Sequence, residues 1–107
     1  MRSEPAAHSI LTIPVKAGAE DEFAHGFNAL RVFEHAGRIA GFRGGRLLRP
    51  LAPGEPFVVV AEWDAPEGYQ AWLDSPVREE LARAMSVLVE GEMTGALFVD
   101  ATEEGRA

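Results

Sequence analysis

The order of apolar runs and helix signals predicts an α+β fold: a ferredoxin-like β-α-β-β-α(α)-β chain with one four-stranded antiparallel sheet. Three observations carry that prediction. A β-branched run, ILTIPV at 10–15, precedes an aromatic stripe at helical spacing. The segment Phe57–Trp63, FVVVAEW, is a strand whose first five residues are apolar without alternation. Two helix-start signals, Asp64-Ala-Pro-Glu67 and Ser75-Pro76, then follow closely.

Taken in order, Ile10 to Val15 is the first strand, and Pro14 marks it as an edge or a strand end. Gly18 opens a helix from about Ala19. Glu20, Asp21 and Glu22 complement the positive end of its dipole. Phe23, Phe27, Leu30 and Phe33 form its core stripe, and Gly37 and Gly41 end it. Phe42 to Arg49 is the second strand, with Gly44 and Gly45 signalling a bulge or twist. Residues 51–56 turn the chain into the third strand. Asp64 and Glu67 read as a capping box with Pro66 near the first helical position. The short helix that follows places Tyr69, Trp72 and Leu73 on one face. A second helix begins at Ser75-Pro76 and continues through Val77, Leu81, Ala84, Met85 and Leu88 to a stop at Gly91. Gly95 to Asp100 is the last strand. One domain over 8–100 is expected, with flexible termini at 1–7 and 101–107.

Successive side chains in a strand point to opposite faces. Phe57 to Ala61 are apolar at both parities, so both faces of that strand are expected to be covered. The helices of a 107-residue chain suffice for one face. A second copy is expected on the other, two sheets packing face to face as a homodimeric α/β barrel.

Composition narrows the function classes. With 47% hydrophobic and 25% charged residues, the chain has the make-up of an ordinary globular domain. It contains no cysteine, which excludes disulfides, thiolate metal sites and cysteine nucleophiles. No apolar run approaches the ~20 residues of a membrane span. The first residues lack the apolar core of a signal peptide, and a cytoplasmic location is expected. A formal net charge of -7 argues against a nucleic-acid surface. Arg38, Arg43, Arg46 and Arg49 form a local exception. They read either as a solvated strand edge paired with the acidic majority or as a site for an anionic or phenolate ligand.

The segments VVVAEW and AWLDSP and the Gly41-Phe42 pair, in this order, give the chain a family likeness. It resembles the antibiotic biosynthesis monooxygenase (ABM) superfamily of dimeric α/β barrels, over about residues 8–100. That resemblance implies a common chassis for cofactor-free oxygenases of anthrones and quinols, for haem-degrading enzymes and for many members of unknown role. Haem-degrading members use an Asn on the first strand, a Trp, and a His ten residues beyond it. Trp72 matches the Trp by its W-L-x-S context. Position 82 is Ala, and the only Asn of the chain, Asn28, lies in the first helix. Two of the three haem positions are therefore missing.

The function expected is a monooxygenase of a small aromatic, anthrone-like or quinol substrate that needs no metal, flavin or haem. The alternatives are a non-catalytic module binding a small ligand in the same pocket, and a haem-binding or haem-degrading protein. Quinol oxygenation asks little of a protein: an apolar pocket, one or two polar groups, and exclusion of water. Phe23, Phe27, Phe33, Trp63, Tyr69 and Trp72 are the expected pocket lining, with Arg46 as polar contact and His35 as catalytic base. His8 precedes the first strand. His25, beside Glu22, belongs to the solvated helix face; a two-metal site needs a second such motif, and the chain has none.

Overall fold

The computed structural model describes residues 6–102 and 104. The elements run β1 (Ala7–Ile13), α1 (Glu20–Ala29), α2 (Val32–Ala36), β2 (Phe42–Leu48), β3 (Phe57–Trp63), α3 (Pro66–Leu73), α4 (Pro76–Met85), a 3₁₀ turn (Ser86–Leu88) and β4 (Thr94–Val99). The strands form one sheet in the order β2-β3-β1-β4, every neighbouring pair antiparallel. The ferredoxin-like α+β architecture is as the sequence predicts. The expected flexible ends fall partly on residues 1–5, 103 and 105–107, outside the described residues.

Register divides the sheet into two faces. Ala7, Ser9, Leu11 and Ile13 of β1 share one face with Phe57, Val59, Ala61 and Trp63 of β3. The helices lie on this face, and Phe57 and Trp63 are fully buried there. His8, Ile10 and Thr12 of β1 and Val58, Val60 and Glu62 of β3 occupy the other face, only partly covered. Leu48 and Phe98 complete that second face at the two edge strands, and both are exposed.

The core has two centres. Phe23 and Phe27 of α1 pack with Ile13, Phe57 and Met85. At the other end Trp63 packs with Ala7 and Ala36, flanked by Phe42, Tyr69 and Trp72. Six aromatic contacts link the centres into one chain, from Phe57 through Phe23, Phe27, Phe33, Phe42 and Trp63 to Tyr69, with centroids 5.0–6.4 Å apart. Most are tilted or edge-on, the geometry the aromatic quadrupole favours.

Several boundaries differ from the sequence reading, each for a local reason. β1 begins at Ala7 rather than Ile10, because it is one of the two central strands and pairs along its length with β3. Val15, beyond Pro14, survives only as an isolated bridge to Val89. The first helix is not continuous. It stops at Ala29, and Arg31 adopts a left-handed conformation (φ 54°, ψ 48°) before α2 starts. Glycine usually occupies such a position; here Arg does, so the break carries no glycine signal. Asp64 does not cap α3. The residue before Pro66 is Ala65, in extended conformation without a side-chain cap bond, and the Asp64 carboxylate instead accepts from Arg43. α4 ends at Met85 instead of running on toward Gly91, the Ser86 hydroxyl bonding back to the Arg83 carbonyl at 2.7 Å.

Candidate functional site

A cavity of about 100 Å³ lies between the sheet and the helices. Its floor is the helix-side face of the sheet, including Ser9, Leu11, Val59 and Ala61. Its walls come from each helix in turn. Phe23 and Phe27 lie four residues apart on α1, which puts them on one face. Phe33 and Ala36, three residues apart, do so on α2. On α3 the spacing of Tyr69, Trp72 and Leu73 turns all three inward, and α4 contributes Leu81, Ala82 and Met85.

The expected lining residues Phe23, Phe27, Phe33, Trp63, Tyr69 and Trp72 all meet in this cavity. Arg46 does not. In an unbroken strand Phe42 and Arg46 would share a face, but β2 carries a bulge between Phe42 and Gly44. Phe42 therefore faces Trp63 and the cavity, whereas Arg46 pairs with Val60 on the opposite face of the sheet. There it borders a separate, open depression with His8, Arg43 and Glu62. His35 does not line the cavity either, although Val32, Phe33 and Ala36 of the same helix do. Its Nδ1 is buried without a hydrogen-bond partner among the described residues.

The bulged residue, Arg43, is fixed electrostatically. Its Nε donates to Asp64 Oδ1 and one terminal nitrogen donates to Glu62 Oε2 at 3.0 Å. The Asp64 hydrogen bond, then that of Glu62, raises the guanidinium pKa above its ordinary value. These exposed pairs pin the end of β3 to β2 at the cavity's Trp63 end.

A wider space of about 560 Å³ adjoins the cavity and shares Leu11, Tyr69, Leu73, Arg78, Ala82 and Val89 with it. It forms a vestibule. The Tyr69 hydroxyl lies so close to β4 that a Cβ built on Gly95 would stand 2.8 Å from it. A side chain at position 95 would crowd the phenol at the junction of the two spaces. Beside the two indoles, the polar residues among the described lining of the inner cavity are few: Ser9, Tyr69 and Arg78. Arg78 and the vestibule were not legible as site features, since Arg78 reads in sequence as one of the charged residues on the outside of α4. Among the described residues, no group of three His, Asp or Glu side chains is placed to hold a metal ion.

Residues 7–84 match the model of the family "Antibiotic biosynthesis monooxygenase". The chain belongs to that family. It is similar to a heme oxygenase (mycobilin-producing) of Mycobacterium tuberculosis, 37% identical over 68 residues. That match spans 62% of this chain and 59% of the other protein's length. Among solved structures, SnoaB, a cofactor-independent oxygenase from Streptomyces nogalater, superimposes with a TM-score of 0.75 at 21% identity, covering 96% of this chain and 100% of that one. A conserved protein from Methanosarcina mazei superimposes with a TM-score of 0.74 at 17% identity, covering 89% and 92% respectively.

Proposed function

We propose that this protein is a cofactor-independent monooxygenase of a small, electron-rich aromatic, an anthrone or a quinol. The observation that carries the reading is the aromatic-walled cavity, in which Phe27, Phe33, Trp63 and Trp72 surround a narrow apolar space with the Tyr69 hydroxyl at its mouth. Membership of the family and the likeness to a cofactor-independent oxygenase support it.

The chemistry fits such a site. A deprotonated phenol or anthrone hands one electron to O₂, and the resulting radical pair combines to a peroxide. Loss of water then leaves a carbonyl, so that a ring CH₂ and O₂ give C=O and H₂O. The protein's share is to hold the ring, direct the substrate hydroxyl toward Tyr69, let the proton leave through the vestibule, and keep water from the peroxide. A homodimer closing over the outer sheet face belongs to the same reading.

Haem handling is the second reading, favoured by the 37% identity with a heme oxygenase. The lining does not suit histidine ligation. Ala82, the position where haem-degrading members carry His, faces both the cavity and the vestibule, and no histidine lines either. A module that binds its ligand without turnover is the remaining alternative.

Oxygen uptake by purified, metal-stripped protein with a panel of anthrones and anaerobically reduced naphthoquinols tests the proposal. Protein-dependent uptake, lost in Trp72→Ala, is expected. No uptake across the panel would overturn it, and a Soret shift on haem titration would move the function to the second reading.

A further inference from the structure

We propose that Arg78 makes the cavity selective for aromatic substrates that carry a carboxylate, the acid held at the mouth and the ring buried among the aromatics. This rests on the aromatic-binding reading of the same cavity and adds to it the chemical class of the ligand.

Among the described residues, Arg78 is the one charged residue lining the inner cavity, and it also lines the vestibule. It is half-buried. The ion pairs among the described residues use Arg31, Arg43, Arg49 and Arg83, and none uses Arg78. Its helical neighbourhood explains why. The residues three and four positions away, which a side chain on a helix can reach, are Asp74, Ser75, Leu81 and Ala82. The only acid among them, Asp74, already accepts a hydrogen bond from Gln70 Nε2 at 3.2 Å. Glu79 is taken by Arg83 on the outer side of α4. Glu92 borders the vestibule but makes no ion pair with Arg78.

The position is also unfavourable for a cation. Arg78 is the third residue of α4, in the turn where the helix dipole favours acids. An arginine placed against the dipole, without an ion pair among the described residues and lining a largely apolar cavity, gains nothing for the helix but suits an incoming anion. A lone guanidinium presents its fork of N–H donors to a carboxylate in the bidentate geometry that neutral groups cannot match. With a single cation in the lining, the site suits a monoanion rather than a phosphate. Among the described residues, Arg78 is the only charged group lining the cavity that can attract an acidic ligand.

The test compares naphthoate with naphthamide, two ligands of one shape differing in charge, by calorimetric titration of the full chain. Naphthoate should bind about tenfold or more tightly than the amide, the effect of one charge-assisted hydrogen bond. Arg78→Gln should abolish the preference, Arg78→Lys should retain part of it, and Arg46→Gln, on the opposite sheet face, should leave it unchanged. Equal binding of the two ligands by the unaltered protein, or a preference that survives Arg78→Gln, would overturn the proposal. Binding is read without oxygen, so the two readings fail separately. Uptake with neutral quinols but no preference for naphthoate sinks the role of Arg78 alone. A naphthoate preference without uptake from any acidic or neutral quinol sinks the oxygenase alone.

Discussion

The Trp63 indole N–H donates to the Ser9 hydroxyl at 3.0 Å, joining neighbouring strands at the cavity floor. Both residues are buried, so neither group can turn to water for a replacement partner. Ser9→Ala should cost about 1–3 kcal/mol, because it leaves a buried N–H unsatisfied. Adding Trp63→Phe should then cost less than it does alone, since the orphaned donor is removed. Urea unfolding of the two single variants and the double variant measures this coupling, and strictly additive losses would contradict it.

Phe33 rests directly on the backbone of Gly45. A Cβ built there would fall within 3.0 Å of two carbons of its ring. Gly45→Ala should therefore destabilise the fold by roughly 1–3 kcal/mol through overpacking. Phe33→Leu in the same chain should recover part of the loss by vacating the ring's edge. Thermal unfolding of the pair decides it; an unaffected Gly45→Ala melt would mean that the ring shifts freely.

Arg31 holds a left-handed conformation that costs a non-glycine residue about 1 kcal/mol. Its only ion pair among the described residues, to Glu34 at 3.6 Å, is exposed at both ends and contributes little. Arg31→Asn should stabilise the protein by up to about 1 kcal/mol, since Asn tolerates this conformation. A lower denaturation midpoint for the variant would show that the break between α1 and α2 depends on the arginine itself.

Ile10, Val58, Val60 and Phe98 share the sheet face that no helix among the described residues covers. If two copies close over it, the protein should run as a dimer in light scattering at micromolar concentration. Val60→Lys, at the middle of that face, should shift it to monomer, because an unpaired charge would be buried at the interface. A monomeric unaltered protein would contradict the homodimer.

The fold was legible because its signals are local and agree with one another: the apolar parity of Phe57 to Ala61, the stripe of Phe23 and Phe27, the proline at the start of each late helix. The cavity's aromatics were legible for the same reason, since Tyr69, Trp72 and Leu73 share one face at any reasonable helix boundary. What escaped was set by backbone choices that side-chain types do not report. The turn at Arg31 uses a residue that does not advertise it. Asp64 has the identity of a cap but a stronger competitor in Arg43. Arg78 looks like surface charge until the third dimension places it on the cavity wall. His35 shares a helix with lining residues, yet its angular position takes it off their face.

The bulge at Arg43 gives β2 something like a reading frame. One extra residue decides which member of every later pair meets the ligand space and which meets the uncovered sheet face. Gly45 and Leu47 look inward, Arg46 and Leu48 outward. A related strand lacking the extra residue would display the opposite set from the same letters. Site assignments carried between relatives along this strand therefore have to be counted backward from Leu48, whose pairing with Val58 is regular, rather than forward from Phe42.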